Sequence, residues 1–462
     1  MTTTPPGAFR SGSSRAKKLR ILLIAYEFPP SPSPQSLRWA YLTGRLAAFG
    51  HEVHILAPDI GRTIEGLPAL SPSVHVHRTC PGPVRGLLGW LALRRPPSRT
   101  TDHSSSMFLS MLSANADGPS DHLSASSAAE PPRLNWKGRI LESFQSLVSW
   151  CLFPDLRAEW ARPAREALHQ LLDELKPDVV VSSHEPATTL RLGLEAKRRG
   201  FRWVADLGDP VLAAYTPARW RRTAAILEST VMREADHVLV TAEQARELLE
   251  RRHACSTPVT VVTQGFEEGF VPARPCARAL DGPLELLYGG SFYSFRDPRA
   301  LVEAVLTVPG VRLHVASGSV PAWLAKIARN NSAQVRLLGR VPHQRLLALQ
   351  CQVDVLINIA NRESSQVPGK FYEYLGAGRP VLHLLAGQEM DATGALLHRL
   401  RRGRTCAASR GAIAAELAYL LEARARGVLD QGFDLGPEAV RAWSWTASAA
   451  RAQAALTQAA AG

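Results

Sequence analysis

The chain has 462 residues and a formal charge of +13, with 54 Lys and Arg against 41 Asp and Glu, and 45% of its residues are hydrophobic. That length suffices for two buried cores, and the absence of any apolar run of about 18 residues excludes a bilayer-spanning helix as an expectation. Cys80, Cys151, Cys255, Cys276, Cys351 and Cys406 form no Cys-x-x-Cys pair, so they read as reduced thiols of a cytoplasmic protein rather than a disulfide framework or a zinc site.

Residues 1–18, rich in Thr, Pro, Ser and Arg, read as a disordered tail without a signal peptide. L-R-I-L-L-I-A-Y at 19–26 is a short apolar run suited to a buried parallel strand, ended by Pro29 and Pro30. Residues 36–49 carry Leu37, Ala40, Leu46 and Ala47 at helical spacing, and Gly50 stops that helix. H-E-V-H-I-L-A-P at 51–58 is a second strand, so the chain opens as a doubly wound α/β sheet. Residues 100–132 read as a mobile loop, and 136–153 as an amphipathic helix. P-D-V-V-V-S-S, F-R-W-V-A-D-L, A-D-H-V-L-V-T and V-T-V-V-T-Q-G follow as strands and close an N-terminal Rossmann-like domain over 19–270. A linker is expected at 266–283. A second series of strands over 281–437 begins at L-E-L-L-Y-G-G, and the Ala-rich tail 438–462 reads as helical.

Several chemistries are absent from the pattern. No G-x-G-x-x-G follows a strand, P-G-K at 368–370 lacks the rest of a phosphate-binding P-loop, and no G-x-S-x-G elbow appears. No two Asp lie two positions apart, so a metal-binding carboxylate pair is missing. The informative stretch is S-S-Q-V-P-G-K-F-Y-E-Y-L-G-A-G-R-P-V-L at 364–382. Pro368 and Gly369 precede a short helix, whose N-terminus offers unpaired N–H groups and a partial positive charge to an anion such as a diphosphate. Glu373, one turn in, is placed to accept ribose hydroxyl bonds, although a tight loop with a surface glutamate would read the same.

That segment resembles the C-terminal signature of glycosyltransferase family 4, the retaining GT-B enzymes. Y-G-G-S-F-Y-S-F-R-D at 288–297 is similar to the family's glycine loop, and L-G-R-V-P at 338–342 to its base-binding turn. Y-E-F-P-P at 26–30 and S-H-E-P at 183–186 also fit. F-P-D-x4-W at 153–160 and D-L-G-D-P at 206–210 resemble a bacterial subset acting in surface-polysaccharide synthesis. The resemblance implies two Rossmann-like domains facing a cleft, with the last helix crossing back to the first domain. It implies a nucleotide-sugar donor held by Gly289, Gly290, Ser291, Arg296, Arg340, Val341, Gly369, Lys370 and Glu373. It implies His184 in catalysis, Pro30, Asp206 and Asp209 toward the acceptor, retention of configuration, and no metal. Asp206 reads equally as a cap for the next turn. Two departures stand out. Ser291 replaces one of the two cations of the glycine loop, and Ser365 replaces the glutamate that contacts the donor sugar, with Glu363 two residues too early.

The expected function is therefore sugar transfer to a lipid-linked or saccharide acceptor. A sugar-nucleotide epimerase on the same fold and a catalytically silent binding subunit are the alternatives. The basic balance reads either as an Arg-favouring genome or as a patch for phosphorylated groups; no nucleic-acid partner is expected. G-L-L-G-W-L-A-L-R-R at 86–95 and the helix at 136–153 set apolar and aromatic residues beside cations. They suggest peripheral contact with the anionic inner face of the plasma membrane.

Overall fold

The computed structural model describes residues 18–31, 33–60, 67–82, 157–213, 216–270, 282–292, 296–360, 367–387 and 389–462. The tail at 1–17, the stretch 86–95, the loop 100–132, the helix expected at 136–153, most of the linker after Phe270, and both Glu363 and Ser365 lie outside them.

The apolar runs become interior strands. The first sheet comprises β1 (Arg20–Ala25), β2 (Glu52–Pro58), β3 (Val74–Thr79), β4 (Val179–His184), β5 (Trp203–Leu207), β6 (His237–Val240) and β7 (Val259–Val261). They lie in the order β3-β2-β1-β4-β5-β6-β7, all parallel. Leu23 pairs with Ile55 on one side and Val181 on the other, and all three are fully buried. A parallel sheet covered by helices on both faces has no solvent face to alternate toward, which is why these strands read as unbroken apolar runs. The helix Pro34–Ala48 starts where the Ser33 hydroxyl accepts the Ser36 N–H at 3.1 Å, with Pro at the first turn.

The second sheet holds β8 (Leu284–Gly289), β9 (Val311–Ala316), β10 (Val335–Leu337), β11 (Val355–Ile359), β12 (Val381–Leu385) and β13 (Gly403–Ala407). Its order is β10-β9-β8-β11-β12-β13, again all parallel. β13, G-R-T-C-A, has no apolar run and so carries no strand signal in the sequence. As an edge strand it is only partly buried and has less need of such a run.

The tail differs in detail from one continuous helix. Glu438–Trp443 is a 3-10 turn, and Ser444 turns extended and caps a separate helix, Trp445–Ala461. That helix lies on the first sheet: Trp445, Ala449, Ala452, Ala455 and Leu456 share a core with Trp39, Leu42, Val181 and Leu239. The two chain crossings between the halves run side by side. Trp445 donates its N–H to the Phe266 carbonyl at 3.0 Å, and Phe266 donates to Trp443 at 3.3 Å. Gly265 is required there, because a Cβ would stand 2.8 Å from the Trp445 nitrogen.

In each sheet the strand order reverses once, between β1 and β4 and between β8 and β11. Open α/β sheets form their ligand crevice outside the carboxyl ends of the strands at such a reversal. The ends in question carry Ala25 and His184 in one sheet, and Gly289 and Ile359 in the other.

Candidate active site

At the end of β8 the chain turns through Gly289, Gly290 and Ser291 beneath the start of the helix Gly369–Gly376. Gly290 has φ +139°, and a Cβ on it would lie 3.3 Å from the Lys370 ammonium, so both conformation and space call for glycine. The Tyr374 hydroxyl accepts the Gly289 N–H at 3.0 Å, while the Tyr288 hydroxyl donates to the Ser291 carbonyl at 2.9 Å. These two tyrosines shape the loop. Both sit on buried faces, where an aromatic residue first reads as core, so the sequence does not mark them. Ser291 is exposed, and its carbonyl also faces a guanidinium nitrogen of Arg296 at 3.5 Å.

Two cations meet here. Arg296 is only 7% exposed. The Lys370 ammonium is buried, has no hydrogen-bond partner among the described residues, and lies 4.0 Å from the centre of the Tyr288 ring. Burial, and then repulsion from Arg296, hold its pKa well below the ordinary lysine range, with Glu373 pulling the other way. Glu373 projects from the same helix. Burial pushes its carboxyl above the usual range, opposed by His343, Gln350 and Lys370. One carboxylate oxygen accepts from Gln350 at 3.4 Å, and the other lies 3.9 Å from His343 Nδ1. Gly369 opens the helix against Gln264, and Gly376 lacks the side chain that would strike Phe266 at 2.6 Å. The helix is thereby seated on the crossing segment. Val341 packs into the cluster containing Leu287, Phe371 and Tyr374, whereas Arg340 is exposed, its Cβ 3.8 Å from where a Cβ on Gly318 would stand.

The structure therefore brings Gly289, Gly290, Ser291, Arg296, Gly369, Lys370 and Glu373 into one neighbourhood. Positive charge and helix N–H groups converge there at the strand ends, an arrangement suited to a diphosphate.

On the other side, His184 ends β4 and is 8% exposed, its backbone carbonyl accepting from Gln35 Nε2 at 3.2 Å. Pro30 sits in the turn between β1 and the first helix, and the neighbouring Pro29 carbonyl accepts from Arg78. Asp206 lies on β5. It is fully buried, and one of its oxygens accepts from Arg38 at 2.7 Å, Gln35 at 3.0 Å, Trp39 at 3.1 Å and Ser183 at 3.3 Å. So placed, it clamps the first helix onto the strand ends. Asp209 remains half-buried in the following loop. Buried Glu228 anchors that loop by accepting the Leu212 N–H at 2.8 Å while pairing with Arg252 and His253. Among the described residues no group of three or more His, Cys, Asp or Glu is placed to hold a metal ion.

Residues 121–265 match the family described as the glycosyl transferase 4-like domain. No curated protein sequence matches the chain. Among solved structures, the chain is similar to the sucrose-phosphate synthase of Thermosynechococcus elongatus, with 16% identity, 94% of this chain and 97% of that one covered, and a TM-score of 0.60. It is similar to Anabaena Alr3699/HepE in complex with UDP, with 10% identity, coverage of 90% and 96%, and a TM-score of 0.52. A lipopolysaccharide outer core galactosyltransferase, WaaB, aligns with 13% identity, coverage of 95% and 99%, and a TM-score of 0.53. The protein has the GT-B fold, two parallel-sheet α/β domains.

Proposed function

We propose that the protein moves a glycosyl group from a nucleotide-sugar to a lipid-linked or saccharide acceptor, with retention of configuration and without a required metal. The observation that carries this is the pair of buried cations, Arg296 and Lys370, at the N-terminus of the helix Gly369–Gly376. As the bond from the anomeric carbon to the diphosphate breaks, negative charge grows on the departing oxygen. Preorganised donors in a water-poor site stabilise that charge. Glu373 takes the ribose hydroxyls, and the turn at Arg340 and Val341 meets the base. The acceptor binds on the first domain, between Pro30, His184 and the loop bearing Asp209. UDP is the first nucleotide to test, since it is the ligand of a structural neighbour.

Incubation with labelled nucleotide-sugars tests the reading. Transfer to an acceptor, or slow hydrolysis without one, supports it. An epimerised sugar would make the protein an epimerase, and binding without turnover would make it a silent subunit. In the same assay His184→Ala is expected to lower turnover more than donor affinity, because the imidazole is proposed to meet charge that develops only in the transition state. Wild-type turnover in that variant would remove His184 from the chemistry.

Peripheral docking on the anionic inner face of the membrane belongs to the same proposal and is supported by the charge of +13. Among the described residues no helix is long and apolar enough to cross a membrane. Salt-sensitive sedimentation with anionic vesicles, weakened by Leu87→Asp and Leu88→Asp, is the expected result. Protein wholly in the supernatant at low salt would point to a soluble acceptor.

A further inference from the structure

Glu373 is joined to the first domain by two side chains. His343 opens the helix His343–Gln352, directly after the turn at 338–342. The Tyr41 hydroxyl, from the first helix of the other half, stands 3.2 Å from His343 Nε2. The Tyr41 ring is itself fixed, stacked at 5.0 Å and 11° on Trp445 of the returning helix. Burial first, then the negative charge of Glu267 and Glu373, raises the Tyr41 pKa, with Arg45 opposing, so this phenol keeps its proton and is able to donate to the imidazole. Donation to Nε2 leaves the proton of a neutral imidazole on Nδ1, the nitrogen that faces Glu373 at 3.9 Å. The carboxylate's other described side-chain contact is Gln350, at 3.4 Å. Lys370, one turn earlier on the helix of Glu373, is the remaining charge that bears on it.

We infer that His343, with its tautomer set by Tyr41, is a positioning residue that aims Glu373 at the donor ribose and makes that grip depend on the two domains being together. The inference rests on the reading of Glu373 as the ribose carboxylate. A carboxylate held by one amide and one imidazole keeps free acceptor positions for a diol, and a carboxylate released from either would swing away from it. Plain interdomain packing by Tyr41 and His343 would affect stability but would not affect discrimination at the ribose.

The test uses the full chain and calorimetric binding of UDP, GDP and ADP, each beside its 2′,3′-dideoxy analogue. With the nucleotide bound best, the wild type is expected to prefer the ribose form by about tenfold or more, the scale of a hydrogen bond to a charged group. His343→Ala should reduce that preference to below about threefold, Tyr41→Phe should give an intermediate value, and His343→Gln, which keeps an N–H donor, should retain most of it. If His343→Ala does not fold, the Tyr41→Phe and His343→Gln pair decides by the same ratio. A full wild-type preference in His343→Ala, or in Tyr41→Phe where His343→Ala is unfolded, would overturn the inference and leave the donor site standing. A wild type that binds a diphosphate without discriminating would remove Glu373 from the ribose and this inference with it. Binding of none of the three nucleotides would overturn the donor site as well.

Discussion

Asp206→Ala is expected to lower the unfolding free energy by about 3–5 kcal/mol, the scale for breaking one partner of a buried ion pair. Arg38 and Asp206 have no side-chain exposure and approach to 2.7 Å, far from any solvent that could take over the lost charge. Truncation would leave the Arg38 guanidinium buried with the Val262 carbonyl, at 3.0 Å, as its remaining described hydrogen-bond partner. It would also release Gln35, Trp39 and Ser183, which converge on the same carboxylate oxygen. Replacing both partners, as Arg38→Met with Asp206→Leu, should recover much of the loss, because neither charge is then buried alone. Urea unfolding of the three variants reads this directly. A loss below about 1 kcal/mol in Asp206→Ala would show that water reaches the pair.

Lys370→Met should weaken UDP binding by about 1.5–3 kcal/mol, roughly 10–150-fold, and Arg296→Ala should fall in the same range. The free protein should respond in the opposite direction for Lys370→Met. A buried ammonium without a hydrogen-bond partner among the described residues is a cost to the fold, so Met should leave stability unchanged or raise it. The pH dependence follows from the sign of the shift. The Lys370 pKa lies well below the ordinary lysine value of 10.5 in the folded chain. Between the two values the unfolded chain binds more protons, so stability rises with pH. The gain is complete above the ordinary lysine range and is lost as pH falls through the folded value. Unfolding at about pH 7 and about pH 10, wild type against Lys370→Met, isolates this contribution. Wild-type UDP affinity in both Lys370→Met and Arg296→Ala would dismiss the diphosphate site.

Much of the donor half was legible in the residues. Pro368 and Gly369 before a helix, glycines after an apolar strand, and a carboxylate one turn into the helix are local signals, readable because each depends on neighbours a few positions away. The acceptor half was less so. Asp206 takes its place toward the acceptor only from the resemblance of D-L-G-D-P, and nothing near it in the chain shows that Arg38, 168 positions earlier, is its partner. Tyr288 and Tyr374 were hidden by their own burial, and β13 by its lack of apolar residues.

The sequence by itself determined that this is an α/β chain with two series of parallel strands, since strands buried on both faces must be continuously apolar. It also determined where the candidate anion-binding helix begins. The tertiary structure alone decided which strand ends sit at the two reversals of strand order, and that Lys370 and Arg296 are both buried. It also decided that Tyr41 reaches His343 across 302 positions of chain. The physical reason is one of range. Backbone propensity and apolar periodicity act within a turn or a strand, whereas charge pairing and tautomer choice depend on distances of a few ångströms between residues whose separation along the chain leaves no mark on either.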